Sequence, residues 1–97
     1  DGMNVIKLDG VEYALRCDIN VIEKIESKYG SPEKLFESGI AGVKDVAAWM
    51  INEHRYYVGE RDTITPDYIG ARLTYPEYTA MCDTIVAELA DCMKVKN

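Results

Sequence analysis

What is scarce in this chain sets the first limits on its function. There is one histidine, His54, in a chain of 97 residues. A catalytic base needs a nucleophile and an orienting partner, and a single imidazole leaves little material for that arrangement. Cysteine is limited to Cys17, Cys82 and Cys92. An odd count without close spacing is not a disulfide framework. Cys82 and Cys92 fall on one predicted helix, about 15 Å apart along its axis, beyond the roughly 7 Å that a disulfide spans between Cα atoms. Reduced thiols and a cytoplasmic location are therefore expected. Basic residues are also few: 11 against 17 acidic ones, for a net charge of -6. That balance excludes nonspecific nucleic-acid binding, which needs cations to displace counterions, and a polybasic membrane role. It leaves a basic protein partner open. No apolar run reaches the roughly 18–20 residues of a membrane span, and the first residues lack the basic and apolar regions of a secretion signal.

What is present is 47 % hydrophobic residues, enough for one small core. The pattern predicts an α+β fold in a single domain over 1–97: a β-hairpin over 3–16, packed on a small bundle of about four to five helices over 18–94. Asp9-Gly10 tolerates the positive φ of a type I′ turn. That turn sets Leu8 opposite Val11, Lys7 opposite Glu12 and Ile6 opposite Tyr13. Ile6, Leu8, Val11, Tyr13 and Leu15 then share an apolar face, which must lie on the helices because an isolated hairpin is marginal in water.

Three later segments start with a polar cap followed by proline: Ser31-Pro32, Thr65-Pro66 and Thr74-Tyr75-Pro76, the last with Thr74 or Tyr75 as cap. The first helix is capped by Asp18 or Asn20, the latter with Glu23 forming a capping box, and it ends at Gly30. It turns Val21, Ile22, Ile25 and Tyr29 inward. Leu35 and Phe36 are the buried side chains of the second helix; Gly39 and Gly42 loosen the chain after it. In the final helix Tyr78, Met81, Cys82, Ile85, Val86, Leu89, Cys92 and Met93 form the inner face, with Glu77, Asp83, Thr84, Glu88 and Asp91 outside. Lys94 and Lys96 complement its C-terminal dipole.

The central helix, Val43 to Val58, organises the rest. Val43, Val46, Ala47, Met50, Ile51, His54, Tyr57 and Val58 form one broad apolar stripe at helical spacing. Trp49 and Tyr56 do not fit it. They lie seven residues apart on nearly the opposite side of the helix, which places their rings near each other and gives the helix a second apolar side. Trp and Tyr dominate interface hot spots, so this pair is the candidate protein-interaction site.

Other constellations read as structure. His54 sits on the apolar stripe and needs only a hydrogen bond. Cys82, His54 and a further thiol lack zinc-ligand spacing. Glu23 with Glu26, and Glu88 with Asp91, are solvated pairs. Gly39-Ile40-Ala41-Gly42 has no Gly-Lys-Ser/Thr to make a phosphate loop. No catalytic residue, cofactor or metal is expected.

The order of parts resembles a known family. VIKLDGVEYALRCD leads into INVIEKIESKYGSPEKLF, followed by the helix bearing Trp49, the Thr65-Pro66-Asp67 start and a final amphipathic helix. This is similar to the small tail assembly chaperones of tailed bacteriophages and prophages. In that family a strand pair of the form L-x-G-x-x-Y-x-L-R-x-D precedes a helix that opens with Asp-x-Asn and ends near an aromatic and Gly. Leu8, Gly10, Tyr13, Leu15, Arg16, Asp18, Asn20, Tyr29 and Gly30 occupy those places. The resemblance covers almost the whole chain and implies a non-enzymatic role. It implies binding of the tape-measure protein and tail-tube subunits in the bacterial host cytoplasm, and absence from the finished virion. A small core and the unused aromatic side of the central helix are compatible with homo-oligomerisation. The alternatives are a structural head–tail or tail component, and a small enzyme using Cys82 or Cys92 with His54.

Overall fold

A computed structural model describes residues 4–94; Met3 and Lys96 lie outside them. The expected α+β architecture is present. The strands β1 (Val5–Leu8) and β2 (Val11–Ala14) are followed by five helices: α1 (Ile19–Tyr29), α2 (Pro32–Glu37), α3 (Ile40–Tyr57), α4 (Pro66–Gly70) and α5 (Tyr75–Met93).

The hairpin has the register set by its turn. Val5 pairs with Ala14, Ile6 with Tyr13, Lys7 with Glu12 and Leu8 with Val11. Asp9 and Gly10 both take positive φ, 52° and 80°, as a type I′ turn requires. The Leu15 amide donates to the Asn4 carbonyl at 3.0 Å and prolongs the ladder. Ile6, Leu8 and Leu15 are buried and Tyr13 is half-buried. Val11, expected on the same face, is exposed although its cross-strand partner Leu8 is buried.

Asp18 caps α1, its carboxylate accepting from the Asn20 and Val21 amides at 3.1 and 3.4 Å. The capping box expected from Asn20 and Glu23 is therefore not the cap. Ser31 and Thr65 cap α2 and α4. Thr74 caps α5 in a reciprocal box with Glu77.

The centre is α3, which packs against α1, α2, α4, α5 and β2. Val43, Val46, Ala47, Ala48, Met50 and Ile51 are buried there, with Val21, Ile25, Leu35, Ile69, Met81, Ile85 and Leu89 around them. The helix starts three residues before Val43. Gly42, expected to loosen the chain, instead lies within α3 against α2: a Cβ on it would stand 2.2 Å from the Leu35 carbonyl oxygen. The other end of the stripe is also corrected. Tyr57 and Val58 are exposed, because an 18-residue helix is about 27 Å long and its last turn overhangs its neighbours. Arg16 lies over one face of the Tyr57 ring, its guanidinium carbon 3.6 Å from the centroid.

Similarly, α5 buries only Met81, Ile85 and Leu89 fully. Val86 and Met93, expected inside, face solvent, because β1 and α3 cover one narrow side of that helix. Glu88, expected outside, is half-buried and accepts from Asn4 Nδ2 at 2.8 Å, tying the start of the hairpin to α5. Asn52 does comparable work on α3. Its side-chain amide accepts from the Ile64 amide and donates to the Ile64 carbonyl, both at 2.9 Å, and so pins the loop that leads into α4.

Gly42→Ala is expected to lower stability by about 2 kcal/mol. Forcing the helices apart costs up to about 3 kcal/mol, against the roughly 1 kcal/mol that alanine gains in helix propensity. Urea denaturation of the variant checks this.

Candidate functional site

The aromatic pair of α3 lines one groove. Trp49, Asn52, Glu53 and Tyr56 contribute from α3, Asn20 and Lys24 from α1, and Thr63 from the following loop, around a volume of about 420 Å³. The two rings do not stack as their spacing suggested. Seven residues are two turns, about 10.5 Å along the axis, whereas aromatic pairs meet at about 4.5–7 Å. Trp49 is half-buried and meets Tyr29 of α1, with centroids 6.3 Å apart and planes tilted by 58°. Tyr29 is itself held by its hydroxyl, which donates to Asp45 at 2.5 Å, and Lys28 reaches the same carboxylate at 2.6 Å. Tyr56 is 74 % exposed. The groove thus has one fixed aromatic wall and one free one.

Its floor contains a residue that the apolar pattern passed over. Glu53 is only 9 % exposed. Its Oε2 accepts from Asn20 Nδ2 at 2.8 Å, and its carboxyl shares a hydrogen bond with Asp18. Burial, then the Asp18 contact, push Glu53 above the ordinary carboxylate range. Burial acts in the same direction on Asp18, but hydrogen bonds from Glu53, Arg16 and the Val21 amide outweigh it and lower that group. Arg16 Nε lies 3.0 Å from Asp18 Oδ2. The two groups are thus driven apart, Glu53 upward and Asp18, facing Arg16, downward. Spacing could have found Glu53: it lies four residues after Trp49 and three before Tyr56, on their side of the helix.

The histidine and the thiols are distributed differently. Cys82 lies beside Tyr78 on α5, and burial followed by that thiol pushes the Tyr78 phenol up to about 12. Cys92 lies beside Cys17, a pairing across 75 residues that the sequence did not suggest. His54 lines a separate groove of about 350 Å³ with Cys17, Arg16, Tyr57, Val58, Leu15 and Glu88. This brings an imidazole, a thiol and a carboxylate to one place. However, burial and the Cys92 neighbour push the Cys17 thiol upward, and a protonated thiol is a poor nucleophile. Among the described residues no group of three His, Cys, Asp or Glu side chains could hold a metal ion, and no helix is long and apolar enough to cross a membrane.

The carboxyl pair makes stability depend on pH in two directions. Glu53 has a raised folded pKa, so its contribution is complete below its ordinary value of 4.5 and is lost as pH rises through the folded value. Asp18 has a lowered one, so its contribution is present above its ordinary value of 3.8 and is lost as pH falls through the folded value. Stability is expected to peak in weakly acidic solution. Glu53→Gln keeps the acceptor for Asn20 and a donor for Asp18, and should remove the decline on the alkaline side. At pH 7 it should raise stability by about 1 kcal/mol, or roughly 4–8 °C in Tm for a domain of this size. Thermal melts of both proteins from pH 3 to 8 check this.

Comparison with protein-family models, with curated proteins and with solved structures returns no match to this chain.

Proposed function

We propose that this protein is a non-enzymatic tail assembly chaperone of a tailed phage or prophage, acting in the bacterial cytoplasm. Its clients in this reading are the tape-measure protein and tail-tube subunits. The observation that carries the reading is the open aromatic groove on α3. The helix that supplies the largest share of the core also leaves Tyr56 74 % exposed beside Trp49. Trp and Tyr bury large area at little conformational cost, and they anchor polypeptide partners. A helical client would lay its apolar residues into such a groove, and its own greasy surface would be shielded until assembly. The resemblance noted above, from Leu8 to Gly30, supports the choice of client.

The test is co-expression with a tape-measure fragment followed by affinity capture. The wild-type protein is expected to retain the fragment. Tyr56→Ala should reduce retention at least tenfold with Tm unchanged, since the ring is solvent-exposed. Trp49→Ala should reduce it further, with some loss of stability from the Tyr29 contact. Failure to retain any tail protein would sink the proposal. Recovery of the protein in purified virions would assign it instead to the structural tail components.

A further inference from the structure

The proposed client face carries a chemical preference of its own. We infer that the groove between α1 and α3 receives a lysine or arginine side chain from the bound polypeptide, held between Trp49 and Tyr56 with Glu53 as its counter-ion. The inference rests on reading this face as a polypeptide-binding site, and it adds the chemistry of the occupant.

Three observations converge on a cation. The first is the buried carboxyl. Glu53 is nine-tenths buried on the groove lining, and Asn20 and the Asp18 carboxyl are its partners. The ion pairs among the described residues join Arg16 to Asp18, Lys28 to Asp45, Lys44 to Asp67 and Arg72 to Asp9; Glu53 is in none of them. Lys24 stands near enough to act on Glu53 through its field, but it is exposed. A buried carboxylate gains most from a cation that arrives with its own water removed. The second is the aromatic pair, since Trp and Tyr faces attract cations. The same protein uses that interaction elsewhere: Arg72 lies 3.4 Å over Tyr68 and Arg16 lies 3.6 Å over Tyr57. The third is the net charge of -6, which steers a basic partner toward this surface.

The probe is N-acetyl-arginine methylamide, with N-acetyl-citrulline methylamide as its neutral isostere. Trp49 is the single tryptophan of the chain, so its fluorescence reports occupancy of this groove directly. Wild-type protein is expected to respond saturably to the arginine compound, with affinity at least tenfold above that for citrulline. Glu53→Gln should remain folded, as its melting curve will show, and should bind both compounds equally. No saturable response, equal binding of arginine and citrulline by the wild type, or an unchanged preference in Glu53→Gln overturns the inference. Arginine binding with no retention of any tail protein would leave the cation site standing and remove the proposed client. Retention of the tape-measure fragment without a charge preference would do the reverse.

Discussion

The structure depends on the burial of α3 between its neighbours. Each fully buried Val, Ile or Met contributes roughly 1.5–3 kcal/mol of transfer free energy, and this chain is short enough that most of its large apolar side chains must find one shared core. A helix with α1, α2, α4, α5 and β2 packed against it provides that core. The arrangement also dictates what lies at the contact points. Gly42 is inside the helix because α2 leaves no room for a Cβ. Ala47 and Ala48 are buried where larger side chains would hold neighbours away. Met50 is buried midway along the helix, and its carbonyl accepts a hydrogen bond from the Arg16 amide at 3.0 Å, which fixes the exit of the hairpin onto α3.

That dense packing makes the α1–α3 seam stand out. Where an apolar pair would have sufficed, the seam holds Asn20, Asp18 and Glu53, and further along it Tyr29, Lys28 and Asp45. Buried carboxyl groups cost free energy unless hydrogen-bonded or neutralised. Here the cost is limited by hydrogen bonding, from Asn20 to Glu53 and between Glu53 and Asp18. The contact also gives Asp18 two tasks. It caps α1, and it faces Glu53, so the start of α1 and the groove floor are electrostatically linked. A change in the charge of Glu53 is felt at the cap, within hydrogen-bond reach.

Much of the fold was legible because local rules agreed with one another. The Asp9-Gly10 turn and the alternating pattern fixed the same hairpin register, and the three proline-marked starts became α2, α4 and α5. Gly30 ended α1 as expected. The misreadings share a cause: periodicity says which side of an element is apolar, but not how far its neighbours extend. Val11, Tyr57, Val58, Val86 and Met93 all sit on the expected sides, yet among the described residues each remains largely exposed. Gly42 was misread because close helix approach and chain flexibility use the same residue. The candidate site was half legible. Trp49 and Tyr56 were visible as aromatics off the core stripe, and both line the groove. The spacing of Glu53 puts it on the same side, but its burial was not legible, because a lone Glu on a helix reads as solvated until the second helix covering it is known. The Cys17–Cys92 neighbourhood is a matter of tertiary path, which no local spacing encodes.

The two aromatic side chains also differ in a way that bears on how such a face could work. Trp49 is held by Tyr29, which is held in turn by Asp45, so its position is set before any partner arrives and little ordering entropy is lost on binding. Tyr56, two residues past His54 near the end of α3, has no such support among the described residues and is free to adapt. A fixed anchor beside an adjustable one suits a partner recognised by general character, apolar with a basic residue, rather than by one sequence. Thr63 on the opposite rim belongs to the loop that Asn52 clamps at Ile64, so that rim is held by hydrogen bonds to α3 itself. The groove thus has supported walls at Trp49 and at the Ile64 loop and an exposed ring at Tyr56, an arrangement that follows from a single helix having to build the core and the surface at once.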